Sequence, residues 1–581
     1  MKWRCAYAHT LLNRVSLIPR TSTILDMTTY QPLPAPAKLN GGFWKSAIEF
    51  LNQNDLLSLA RTNSQFHQLC VEEIYHTIVI SRDSVLRSGE WFLDCGKTYL
   101  AGYRSVKKSP DQVDLFLYDR INRLNESSHL HLVKEVIIQE DVFHDRQAGL
   151  VVLEELVQKL LDLGLLEVLD IRDNELFARF YPHYLNLQHL RKCRILDLAD
   201  LNQLRSIAQV KSLQLMLSHV SFEAGCLNEN AKSALSLNIE EVAIEDLEHS
   251  SLRLFEYLHD EKMAMSALKS LKFNHVHGMQ NYNKTMREFT TLFLDSVLEI
   301  DRIKRLELEG SCEVPGCSCF HDFLMALAPH VHNLKELSLI EKTFVTQGDH
   351  YTEENWDLTI NKFLINLPNV SDRLEKLAIR HNPPLNGIQK DSVEGNYIRR
   401  RTLYESVLPR LTSLKTLIAP TFLRSIAPYE VLVCDLLWNG CECDYCTKVL
   451  AVIDKFIMNH QFYSFSEGRF KDIIPTVFFG FTGDALSRRF VTTTDWDLNT
   501  WSICPVAHYW DLHGYENIQH FHDFDCHYDE SVYIALAGCI AHFFNSYMDH
   551  LVQLLPSLRS CVLSGVYYAV DGEQEYRSIY D

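Results

Sequence analysis

The stretch LEVLDIRDN, residues 166–174, sets the pattern by which the middle of the chain is read. Leu166, Leu169, Ile171 and Asn174 stand in an L-x-x-L-x-L-x-x-N arrangement. The alternating Leu169-x-Ile171 is a short strand with both apolar side chains on one face, and Asn174 is placed to satisfy backbone groups at the turn that follows. The same spacing returns at Val133/Val136/Ile138, Cys193/Leu196/Leu198, Val210/Leu213/Leu215, Ile239/Val242/Ile244 and Leu268/Leu271/Phe273. It continues at Ile303/Leu306/Leu308, Leu334/Leu337/Leu339, Leu374/Leu377/Ile379 and Leu414/Leu417/Ala419, with a late copy at Leu558/Cys561/Leu563. Copies are mostly about 27 to 40 residues apart, with one shorter step between Leu198 and Leu215. Helical stretches lie between them, such as 151–163 with Leu153, Leu156, Leu160 and Leu161 on one face.

The pattern resembles leucine-rich repeats, with spacers longer than the ordinary ~20–29 residues and the Asn often missing. That resemblance implies an α/β fold in which each repeat is a strand plus a return helix, stacked into a curved parallel sheet with outer helices. The alternative is a generic α/β domain whose buried strands are rich in leucine.

Toward the N-terminus, residues 39–75 read LNGGFWKSAIEFLNQNDLLSLARTNSQFHQLCVEEIY. Phe43, Ile48 and Leu51, then Leu56, Leu57 and Leu59, then Phe66, Leu69 and Ile74 each suit one face of a short helix. Asn54 or Asp55 is positioned to cap the second helix and Asn63 or Ser64 the third. Three helices in so short a span bury little apolar surface, and such a unit leans on a partner or on the next domain.

This segment resembles an F-box. Leu39 takes the family's first position, Ile48, Phe50 and Leu51 end the first helix, Asp55-Leu56-Leu57-x-Leu59 matches the D-L-L-x-L core, and Phe66 stands for the Trp. Asn40, Gly42 and Thr62-Asn63 depart from the pattern. An F-box followed by leucine-rich repeats is itself an architecture of fungal proteins. The resemblance implies a non-catalytic substrate receptor of an SCF-type ubiquitin ligase. Its linker protein would be bound through Leu39, Phe43, Ile48, Leu51, Asp55, Leu56, Leu57 and Phe66, the cullin and RING subunits through that linker, and a protein substrate through the repeats or the C-terminal region. The competing reading is a ligase-independent interaction scaffold in which a degenerate F-box survives as a structural cap. A metal-dependent enzyme is a third.

The expected organisation is a leader over 1–38, the F-box over 39–78, a helical linker over 79–129 and repeats over 130–420. A Cys/His- and aromatic-rich insertion or cap follows over 421–550, then a last repeat over 551–581. The leader carries Lys2, Arg4, Arg14 and Arg20 and no acid before Asp26, the composition of a mitochondrial transit peptide; the F-box implies cytoplasm or nucleus instead.

Three clusters bear on chemistry. Cys441, Cys443 and Cys446 form C-x-C-x-x-C, three soft ligands suited to a structural Zn²⁺, which takes four. Cys434, Cys504, His460 and the late histidines are the candidates for the fourth. Cys312, Cys317, Cys319 and His321 make a second, weaker set. His508, His513, His520, His522, Asp523, Asp525, Cys526 and His527 make a third, interleaved with aromatics and without a H-E-x-x-H spacing. No phosphate-binding glycine loop, dinucleotide fingerprint or nucleophile elbow occurs. A net charge of −19 without a basic run argues against nucleic acid, and no apolar run is long enough for a membrane span. The 16 cysteines read as reduced thiols rather than a disulfide frame.

Overall fold

The computed structural model describes residues 41–51, 53–81, 96–101, 110–139, 142–143, 146–217, 225–246, 252–277, 295–312, 318–341, 353–368, 370–380, 401–419, 441–448, 451, 542, 544–545, 547–563, 566–571 and 574–578. The chain divides into two compact units. Met1–Tyr103, Val113–Leu166 and Ile171–Leu176 form the first; Arg104–Gln112, Glu167–Asp170 and Phe177–Asp581 form the second.

The first unit opens with helices α1 (Gly41–Ile48), α2 (Gln53–Ala60) and α3 (Ser64–His76). Ile48, Leu51, Leu56 and Cys70 form their small core, with Leu59, Ala60, Leu69 and Ile74 packed around it. Asn63 caps α3, its side chain accepting from the Phe66 amide at 2.9 Å. Helix α2 begins at Gln53, two or three residues earlier than a cap at Asn54 or Asp55 required, so both lie within its first turn. Strand β1 (Thr77–Ser81) follows α3 directly and pairs in parallel with both β2 (Thr98–Ala101) and β3 (Glu135–Ile138). Residues 79–129 therefore contain strand as well as the helix α4 (Pro110–Asn125), rather than a purely helical linker. Ile78 and Ile80 stand opposite Val136 and Ile138 and so form one more rung of the repeat pattern. The long helix α5 (Arg146–Leu163) buries Val152, Leu153, Leu156, Val157 and Leu160. It stops at Gly164, whose φ of +65° only glycine adopts without strain and whose amide donates to the Leu160 and Leu161 carbonyls.

In the second unit, which holds all of β4 (Val168–Ile171) but its last residue, strands β4, β5 (Lys192–Ile195), β6 (Ser212–Leu217), β7 (Glu241–Asp246), β8 (Ser270–His277) and β9 (Arg305–Cys312) succeed one another in sequence order. They are followed by β10 (Glu336–Glu341), β11 (Lys376–Arg380), β12 (Thr416–Ala419) and β13 (Ser560–Leu563), each pairing in parallel with the next. The stacking is solenoid-like α/β. Leu213, Val242, Leu271, Leu306, Leu337, Leu377, Leu417 and Cys561 share one register position, and all are buried.

One copy of the pattern sits three residues from where spacing alone places it. Cys193 and Ile195, not Leu196 and Leu198, pair with Leu213 and Leu215, so the rung is Leu190/Cys193/Ile195. Helix α6 (Asn174–Tyr184) supplies the reason. The Tyr181 hydroxyl accepts the Leu196 amide at 3.0 Å, taking it off the sheet, and donates to Asp200 at 2.6 Å. Asp197 then caps a short 3₁₀ turn that starts at Leu198. At the earlier copy, Asp173 rather than Asn174 caps the turn after the strand, accepting from the Glu175 and Leu176 amides.

On the opposite face of these strands Arg194, Gln214, Glu307, Ser338, Ala378, Ile418 and Val562 are buried, whereas Met216, Ala243, Lys272 and Glu309 are half-buried. Lys272 and Glu307 form an ion pair there at 3.3 Å. The exposed feature is the edge where each strand begins. There a charged residue of one rung donates its amide to the carbonyl of the corresponding residue before it: Glu240 to Lys211, Lys269 to Glu240, Lys304 to Lys269, Lys335 to Lys304, Glu375 to Lys335, Lys415 to Glu375. Glu240 lies between Lys211 (3.4 Å) and Lys269 (2.6 Å), and Glu375 between Lys335 (3.7 Å) and Lys415 (2.8 Å). Lys304, between the two triplets, has no ion-pair partner among the described residues. A cavity of about 600 Å³ lies against this edge, lined by Lys269, Lys304 and Lys335 among others.

The second unit ends differently from the way it is built. Strand β13 turns into β14 (Val566–Val570) and β15 (Tyr576–Ser578), both antiparallel, which finish the sheet. Among the described residues no helix is long and apolar enough to cross a membrane.

Candidate metal centre

Cys441, Cys443 and Cys446 come together with His542, their ligand atoms all within 4.8 Å of one another. Residues 444–448 are helical, which brings Cys446 back over Cys443; the Cys446 amide donates to the Cys443 sulfur at 3.4 Å. His542 is helical, as are 544–545 and 547–554 before β13, and its Nδ1 lies 3.5 Å from Cys443 Sγ and 3.3 Å from Cys446 Sγ.

These separations test the fit to a metal. Zinc bonds of ~2.3 Å to sulfur and ~2.05 Å to nitrogen at tetrahedral angles place neighbouring S and N ligands about 3.5 Å apart. The observed pairs match that edge. Cys446 is buried and the other three are half-buried, so the group is shielded yet reachable. The Cys446 amide, then the side chains of Cys441, His542 and Cys446, hold the Cys443 thiol down to about 6. A thiol so placed is ready to ligate as thiolate. Elsewhere burial has the opposite effect: Cys193 is pushed up to about 12, and Cys561 is also raised, so these core thiols are inert.

His542 was not among the fourth ligands foreseen. Cys434, His460, Cys504 and the histidine-rich segment 508–527 lie outside the described residues. Of the second cluster, Cys312 ends β9 and Cys319 begins helix α7 (Cys319–Leu327), but their side chains and Cys317 lie outside the described residues. His321 instead faces Thr359 Oγ1 at 3.5 Å.

At the N-terminal helices, Ile48 (2% exposed), Leu51 (6%) and Leu56 (0%) are sunk in their own core, and Leu57 (38%) faces outward. Phe66 packs edge-on against Trp44 at 5.0 Å. Leu39 and the side chain of Phe43 lie outside the described residues. Gln53 of α2 reaches strand β2 at the sheet edge: its side chain accepts from the Tyr99 amide at 3.1 Å and donates to the Tyr99 carbonyl at 3.4 Å.

Comparison with known proteins fixes the family. No protein-family model matches the chain. A Saccharomyces cerevisiae protein, the non-SCF-type F-box protein ROY1, is 45% identical over 536 residues, covering 92% of this chain and 97% of the relative. The chain belongs to the fungal F-box proteins. The same relative overturns one expectation for this F-box protein. A substrate receptor working with the SCF linker, cullin and RING subunits is at odds with similarity across nearly the whole chain to an F-box protein of non-SCF type. Ile48, Leu51 and Leu56, three of the residues assigned to linker binding, lie in the helices' own core.

Proposed function

We propose that this F-box protein is a ligase-independent, non-catalytic interaction scaffold built on leucine-rich repeats, with its N-terminal helices serving as a structural cap. The observation that carries the reading is the Gln53 side chain on Tyr99. An edge strand presents unpaired amides and carbonyls that invite another chain, and folds cover such edges. Here an F-box helix covers this one. The non-SCF character of the yeast relative supports the same reading.

The surface best suited to a protein partner is the charged strand-start edge around Lys304, which is exposed beside a cavity while most of the described strand residues are buried. The metal centre is read as a structural Zn²⁺ site, since four protein ligands leave no open position for chemistry.

Purification of the tagged chain at native abundance, with quantitative mass spectrometry, tests the reading. The expected result is a stoichiometric protein partner that is released by salt, is weakened by Lys304→Glu, and comes without cullin or RING subunits. Cullin and RING in stoichiometric amounts would overturn it.

A further inference from the structure

We infer that the Cys441/Cys443/Cys446/His542 centre is a clasp that makes the terminal rung of the sheet metal-dependent, an inference resting on the zinc reading above. Strands β12 and β13 are neighbours in register, with Thr416 opposite Ser560 and their hydroxyls 2.9 Å apart, yet those residues are 144 positions apart in sequence. The preceding rungs are joined far more closely: Glu375 and Lys415 are 40 positions apart. Closing a longer loop costs more chain entropy. This rung therefore carries the largest such cost along the second unit.

Cys446 and His542 are 96 positions apart. A metal held by both takes that span out of the loop and leaves a connection comparable with the ordinary one. The clasp acts directly on the rung through the segment that follows. After His542 come Phe544, Met548, Leu551 and Leu555, all buried, on the run that delivers the chain to β13. The Tyr576 hydroxyl of β15 bonds the Asn545 carbonyl at 2.9 Å and Asp549 at 2.7 Å, and Tyr576 packs against Tyr568 of β14. The imidazole, the helical run and the closing strands are thus one connected body.

The test uses the full chain: metal content by mass spectrometry, then hydrogen exchange before and after chelation and after zinc is returned. The expected result is about one zinc per chain. Chelation should raise exchange in 548–563 and 566–578 at least tenfold while 212–246 is unchanged, and zinc should reverse it. His542→Cys, which keeps four ligands, should retain metal and protection; His542→Ala should lose both. Zinc present with terminal exchange unmoved by its removal would overturn the clasp and leave the zinc site standing. A chain that binds no zinc, or whose native mass shows a disulfide among the three cysteines, would overturn both.

Discussion

The edge strand of the first unit and the last strands of the second are finished by different means. In the first unit the edge strand β2 is met by the Gln53 side chain of α2, which bonds both backbone groups of Tyr99. In the second the closing strands reverse direction and are tied through Tyr576 to Asn545 and Asp549, which follow His542 of the Cys₃His group. Sequence distance explains the difference. The Gln53–Tyr99 contact spans 46 positions, against 144 between Thr416 and Ser560, so less loop entropy opposes it. The C-terminal closure must recover a strand after a long excursion, and cross-links that close long loops gain most in principle.

The largest effect should come at the C-terminal end. Phe544 is fully buried on the run between the metal ligand and β13. Phe544→Ala should cost about 3–5 kcal/mol, measured by denaturant unfolding, and should weaken retention of zinc as well. Zinc affinity unchanged in a variant destabilised to that degree would uncouple the helical run from the centre and break the comparison.

At the other end, Leu56→Ala should cost about 2–5 kcal/mol by opening a cavity in the helix core. Leu57→Ala, at a half-exposed position, should stay within about 0.5 kcal/mol. Neither should respond to a chelator. A chelator-dependent Leu56→Ala would mean that the N-terminal cover also relies on metal. The same burial shows why replacing both leucines together cannot isolate a binding surface: one of them holds the helices together.

A smaller effect is expected at Gln53. Gln53→Ala removes the partner of both Tyr99 backbone groups, and an orphaned buried polar group costs about 1–3 kcal/mol. The part-buried setting places this near the lower end. Hydrogen exchange at 98–101 should rise while 64–76 holds. An unchanged Tyr99 amide would remove the main support for the capping role.

How much of this was legible differs between scaffold and site. The rungs were legible because each must fill the same interior with the same three side chains, so spacing alone reports them. It failed at Cys193, where two overlapping trios satisfy the pattern and the choice is made by the Tyr181 hydroxyl, a contact from the preceding helix. It also passed over Ile78 and Ile80, which follow α3 without a break and fall on either side of the boundary set between the F-box and a helical linker. The metal centre was legible only in its local half. Three cysteines within six residues announce a ligand set, but His542 is brought in by the fold. Its one local signal is its place two residues before Phe544, at the head of the apolar run into the last strand.

The smallest expected effect serves as a control between the ends. The hydrogen bond from Lys415, followed by the charges of Lys415 and Lys335, holds the Glu375 carboxyl below its ordinary range. A depressed folded-state value means the contribution is fully present above the unfolded carboxylate range. It is lost as pH falls through the depressed value. Glu375→Gln should therefore flatten the acid side of the stability profile slightly, and more at low salt than at high, since exposed pairs contribute little and are screened. Because Glu375 belongs to the strand-start edge and to neither closure, the variant should leave both zinc content and Tyr99 exchange unchanged. A change in zinc content would show that the rung before the excursion helps to position the clasp, and would move the boundary of the metal-dependent region inward to β11.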